Sequence, residues 1–186
     1  MDGRRGGDPA PFPFPEARLI TPDYALTMAR YNRWQNASLY GAADTLDEAA
    51  RREARGAFFG SIHRTLSHLA WGDAMWMSRF DGYARPAQPL KNSGDEHPDW
   101  SALKAARARL DAAILDWAAR LSPDWLAGDL SWRSGAAGRD VTRPCAFLAV
   151  HFFNHQTHHR GQVHAMLTAA GARPQDTDLF LMPADA

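Results

Sequence analysis

One stretch restricts the fold of this chain more than any other: His151 to Gln162, HFFNHQTHHRGQ. It holds four of the eight histidines, and no Gly or Pro interrupts it before Gly161. Apolar residues flank it, so it reads as helix. At about 100° per residue, Leu148, His151, Phe152, His155, His159, Gln162, Val163 and Met166 fall on one stripe. A helix buries such a stripe, and here its middle is imidazole. A buried imidazole needs hydrogen-bond partners or a metal, because leaving it unpaired costs roughly 1–3 kcal/mol. His155 and His159 lie one turn apart on the same face and can chelate one ion. His151 and His155 are spaced equally, and periodicity does not choose between the pairs. The rest of the chain is then a scaffold that brings a third ligand to this helix.

Three further helices are expected. The first begins at Thr21-Pro22-Asp23, which supplies an N-cap, a first-turn proline and an acid at the positive end of the dipole. Tyr24, Met28, Tyr31, Trp34 and Leu39 carry its apolar face towards Leu46. TLDEAARREARG follows as a charged connection or short helix. The second runs from about Ala57 to Phe80 and is apolar nearly all round, which marks a central helix. Asp73 falls within its main stripe, and His68 lies with Trp71 and Met75 on the other side. A long crossover, residues 81–99, has no period; loops of this length are often site lids. The third helix runs from Trp100 to Leu121 on Leu103, Leu110, Ile114, Trp117 and Leu121. DLSWRS and RDVTR around GAAG read as a short β-hairpin or extended excursion before the last helix, which ends at about Ala170 with Gly171 as its C′ residue. The fold class is therefore all-α: a four-helix bundle over residues 21–173. A flexible Pro/Gly-rich arm (1–20) precedes it, and a tail (174–186) follows whose LFLM packs on the bundle.

Formal net charge is zero, which argues against nucleic acid or an anionic membrane as partner. A single cysteine excludes an internal disulfide and fits a reducing compartment. No apolar run approaches the ~20 residues of a membrane span, and the N-terminal arginines lack the apolar stretch of a secretory leader. The expected location is cytoplasmic.

Neutral imidazoles with an open coordination position suit Zn²⁺, Ni²⁺ or Fe²⁺. The third ligand should come from the second helix, where His63 and His68 point about 140° apart, and periodicity favours neither. Asp73 reads as a hydrogen-bonded core carboxylate. Asn36 and Gln162 read as donors behind the ligands or as plain interhelix bonds. Arg160 reads as salt-bridged or exposed, Cys145 as buried and inert, and His164 as exposed. No Gly-rich phosphate loop, Ser-His-Asp order or glycosidase-like carboxylate pair stands out, and no general base is identified.

Three motifs carry a family resemblance. They are Tyr31-Asn32-x-Trp34-x-Asn36-x-x-Leu39, the run His68-Leu69-Ala70-Trp71-Gly72-Asp73-x-x-Trp76, and Asn154-His155-Gln156-Thr157-His158-His159-Arg160-Gly161-Gln162. Over about residues 22–172 the chain resembles the DinB/YfiT-like family of metal-dependent bundle proteins. That resemblance implies an up-down-down-up helix order and a divalent metal held by one second-helix histidine and an H-x3-H pair on the last helix. On this sequence these are His68, His155 and His159. It also implies homodimers, a small-molecule substrate and, by analogy with some relatives, a low-molecular-weight thiol as co-substrate. Thiol transfer is the preferred reading over hydrolysis. A non-enzymatic, stress-related bundle with a structural or sensing metal is the alternative, and a metal-free histidine network in the core is the third.

Overall fold

The computed structural model describes residues 19–135 and 137–186, so the expected Pro/Gly-rich arm lies almost wholly outside the described residues. In chain order the elements are α1 (Pro22–Asp44), the short α2 (Glu48–Arg52), α3 (Ile62–Phe80), α4 (Trp100–Arg120), the short α5 (Pro123–Ala127), β1 (Asp129–Ser134), β2 (Arg139–Pro144) and α6 (Cys145–Ala169). The chain is mostly helical, with four long helices and one two-stranded antiparallel hairpin. No helix among the described residues is long and apolar enough to cross a membrane.

Side chains set most helix starts. Thr21, Asp47, Ser61, Asp99 and Ser122 each accept a hydrogen bond from a first-turn backbone N–H. Gly171, at φ 83°, follows the end of α6 in the left-handed conformation that suits a C′ glycine. The second long helix starts at Ile62 and not at Ala57. Gly56 and Gly60 both have positive φ, and the bond from Gly60 N to Ala57 O closes a turn there, so Ser61 becomes the cap. Phe58, inside the span expected to be apolar helix, is consequently 85% exposed. The crossover 81–99 contains a 3-10 turn at Leu90–Asp95 and lies against α3. The tail departs from expectation too. It docks through polar bonds, from Tyr31 Oη to Thr177 O and from Gln35 Nε2 to Asp176 O, while Phe180 is 83% exposed.

α1 and α3 each pack against both α4 and α6. Two apolar clusters result. One gathers Ala25, Ala29, Met77, Phe80, Ile114, Trp117 and Phe152; the other gathers Leu39, Ile62, Leu66, Leu103, Leu110, Val163 and Leu167. Between them, on every long helix, lies a buried polar layer. Arg107 Nη1 donates to Asp73 Oδ2 at 2.5 Å, and its Nη2 pairs with Asp111 Oδ1 at 3.0 Å. Gln156 Nε2 donates to Asp73 Oδ1 at 3.0 Å, Asn36 Nδ2 to Asp111 Oδ1 at 2.8 Å, and Arg160 Nη1 to Asn32 Oδ1. Burial works against the Arg107 charge, but Asp111 and Asp73 outweigh it and hold its pKa above the usual value. Removing one partner of a buried ion pair strands the others and costs about 3–5 kcal/mol. Arg107→Met is therefore expected to lower unfolding stability by about that amount in urea titrations. Arg120→Met, which removes the exposed pairs with Asp81 and Asp116, should shift the midpoint far less.

Candidate metal centre

His68 projects from α3, and His155 and His159 project from α6 towards it. One ring nitrogen from each lies within 4.8 Å of the others. His68 and His159 are buried and His155 is half-buried. The α3–α6 register that allows this is held at the polar layer, where Asp73 meets Gln156, the residue next to His155. Gly72 permits the close approach of the two helices. A Cβ there would stand 2.9 Å from His155 Cε1, closer than such atoms pack.

The rings are oriented from behind. His159 Nδ1 donates to Gln162 Oε1 at 2.9 Å, which leaves its Nε2 with a free lone pair. His68 Nδ1 is 2.8 Å from Ser93 Oγ, in the crossover, and its Nε2 is turned towards His155 Nε2 at 3.3 Å. His155 Nδ1 is buried and has no partner. With one proton per neutral ring, His155 cannot satisfy both of its nitrogens from these neighbours. A cation taken by the lone pairs relieves that shortfall, so the donor set fits a divalent metal ion. Phe59 stacks on His68 at 3.8 Å between ring centroids and stands edge-on to His159 at 5.5 Å, covering one side.

Burial, and then the positive field of His159, pushes His68 down to about pKa 3. Burial and the neighbouring histidines do the same to His155, also to about 3. Burial lowers His159 as well, and the bond to Gln162 only partly offsets it. All three rings are thus neutral at neutral pH, the form that ligates metal.

The alternatives left open by periodicity separate in space. His63 bonds its Nε2 to His97 O at 2.7 Å, packs near Trp100, and stands outside the cluster. His151 is exposed, 6.0 Å from His155 between centroids, and lies against Trp76. Asp73 and Asn36 serve the polar layer, whereas Gln162 backs His159. Arg160, expected to be salt-bridged or exposed, is buried, bonds Asn32 and Thr157, and faces the Tyr31 ring. His164, expected to be exposed, is half-buried. Cys145 is buried, and burial raises its thiol pKa above the usual value. Phe59, Ser93 and Gly72 were not legible as site residues. Phe59 sits in a glycine-framed turn that breaks helical periodicity, and Ser93 sits in an aperiodic crossover.

His68 and His155 also border an open cleft of about 600 Å³. One wall is α3, another is the crossover around Pro86–Leu90, and a third is the hairpin at Trp132–Gly135. The crossover wall is fixed in place. Trp71 Nε1 donates to Gln88 O at 2.8 Å, and Glu96 accepts from the backbone N–H groups of Ala87 and Gln88.

The sequence model of the DinB family matches residues 21–185. The chain belongs to the DinB family. Among curated relatives it is similar to Protein DinB of Bacillus subtilis (strain 168), 26% identical over 166 residues, covering 86% of this chain and 94% of that protein. No solved structure matches significantly. The DinB match runs past the four long helices and into the C-terminal tail.

The lowered histidine pKa values carry a sign. Between the unfolded value near 6.5 and the folded values near 3, the unfolded chain binds more protons, so stability falls as pH falls through that window. In metal-free protein the urea midpoint is expected to drop from pH 7 to pH 5, and to drop less in His155→Gln. A fall of equal size in both proteins would show that the ring is not buried neutral.

Proposed function

We propose that this DinB-family chain is a metal-dependent enzyme in which His68, His155 and His159 hold one divalent ion, Zn²⁺, Ni²⁺ or Fe²⁺. The observation that carries the reading is a convergence of three neutral imidazoles, two of them fixed from behind, at the edge of an open cleft. Three protein ligands leave positions open for a small molecule, whereas a structural site is closed by a fourth. His151, 6.0 Å from His155 between ring centroids, and His158, 4.9 Å from His159, both stand outside the cluster. Bound there, the ion supplies Lewis acidity that lowers the pKa of a water or thiol reaching it.

The substrate is a small molecule entering the cleft, and transfer involving a low-molecular-weight thiol is preferred to hydrolysis. No carboxylate lines the cleft among the described residues, so no Asp or Glu is placed to take a proton from water. A thiol needs less help, since a few per cent is already thiolate at neutral pH. His151 lines the cleft; although its residue surface is largely exposed, partial desolvation of the ring and then Arg79 lower its pKa, so it is neutral and able to accept that proton. Phe59 keeps water from the far side of His68 and His159.

The same reading takes the four long helices as an up-down-down-up bundle. Its support is the order of paired residues: Tyr40 with Trp100 and Asn36 with Asp111 run oppositely, while Asp73 with Arg107 and Phe80 with Trp117 run together. It also takes the protein as a cytoplasmic homodimer, with the exposed Leu179 and Phe180 as available apolar surface.

Metal analysis by mass spectrometry on untagged protein tests the site. About one ion per chain is expected, lost in His68→Ala, His155→Ala and His159→Ala but kept in His63→Ala and His151→Ala. Wild-type protein that stays empty after reconstitution with Zn²⁺, Ni²⁺ or Fe²⁺ would refute the reading.

A further inference from the structure

The cleft beside the histidines is basic, although the whole chain has no net charge. Arg79 from α3, Arg85 from the crossover and Arg133 from β1 all line it. Among the described residues Arg133 has only a long, exposed pair with Asp140 at 3.7 Å. Arg79 and Arg85 have no carboxylate partner among the described residues. Like charges normally separate or recruit acids, and these converge from three segments on one space. Burial, reinforced by Arg85, lowers the Arg79 pKa to about 10, so the pair is held against its own repulsion.

The surroundings say how they are held. The Arg79 guanidinium lies over the Trp76 ring at 4.6 Å and the Trp132 ring at 5.5 Å. Stacking of this kind uses the face of the guanidinium and leaves its N–H donors, which lie in the plane at the edge, for another acceptor. Arg79 donates no hydrogen bond to any described residue, and Arg85 reaches only the Met75 sulfur at 3.9 Å. With Trp71, Trp76 and Trp132 on its walls, the cleft offers flat apolar surface beside unspent cationic donors.

We infer that Arg79 and Arg85, with Arg133 at the rim, form an anion subsite. It selects a substrate or co-substrate bearing a carboxylate and orients the rest of that molecule across the tryptophans towards His68 and His155. The inference rests on the cleft being the substrate site proposed above; it adds the charge of the substrate and the residues that read it. A neutral molecule of the same shape would leave the guanidinium donors unmatched, and the discrimination is against it.

Calorimetric titration of the full-length protein with phenylacetate and with its neutral isostere phenylacetamide tests this, in low salt, on metal-free and zinc-reconstituted samples. The expected result is carboxylate binding at least about tenfold tighter than amide binding, the difference that a charge-assisted bond of roughly 1.4 kcal/mol makes. The preference should collapse to within about twofold in Arg85→Gln, whose exposed side chain has no evident part in folding, and in Arg79→Gln. It should survive in Arg79→Lys, which keeps the charge, and in Arg109→Gln, an exposed arginine that does not line the cleft. Equal binding of the two probes, no binding of either, or an equal loss in Arg109→Gln would overturn the subsite. Because the metal-free sample is titrated as well, the metal reading fails separately: protein that takes up no zinc yet prefers phenylacetate keeps the anion subsite and loses the metal centre.

Discussion

The Arg107–Asp73–Gln156 contact is the constraint on which the rest of the structure depends. Apolar side chains in the two clusters tolerate sliding of one helix along another, because dispersion and burial are not directional. A carboxylate buried between a guanidinium and an amide does not. Shifting α3 by one turn against both α4 and α6 would separate Asp73 from Arg107 and Gln156 and leave it unpaired in the core, at a cost of several kcal/mol. The polar layer thus selects one register among several that the apolar stripes would accept. In that register Gly72 faces His155, and His68 comes within reach of both α6 histidines.

From this register the site follows in two directions. Behind the imidazoles, Ser93 and Gln162 restrict ring rotation, so the inward nitrogens are aimed before any ligand arrives. In front, the crossover and the hairpin build a wall each. The crossover is a long segment without regular strands or helices of its own beyond one 3-10 turn, yet its backbone is bonded to α3 at Gln88 and His97. It behaves as part of the scaffold. The cleft therefore lies beside a cluster in which two imidazoles, His68 and His159, have their orientation set by hydrogen bonds, as a preorganised site requires.

Much of this was legible in the sequence, for local reasons. Caps at Thr21 and Asp99, the heptad-like run from Leu103 to Leu121, and the Gly171 stop are all read within a few residues of chain, and the helices begin and end close to where these signals put them. The grouping of His68 with His155 and His159 had a different origin. Periodicity left His63 and His151 open, and the family motifs made the choice. What could not be read depends on contacts between distant segments. Phe59 reaches His68 only because paired glycines turn the chain before Ser61. Arg79, Arg85 and Arg133 come from a helix, a crossover and a strand, and no spacing rule relates them. Arg160 is buried because Asn32 meets it across the α1–α6 contact, which a helical wheel does not display.

The proposed centre places a single cation among His68, His155 and His159. Anomalous diffraction from crystals of zinc-loaded protein, collected on both sides of the zinc absorption edge, tests it most directly. One strong peak per chain is expected, bonded to one nitrogen of each of these three rings, with at least one coordination position open to the cleft. A peak closed by a fourth protein ligand, a peak at another set of residues, or a map with no peak and the three rings still bonded to one another would contradict it.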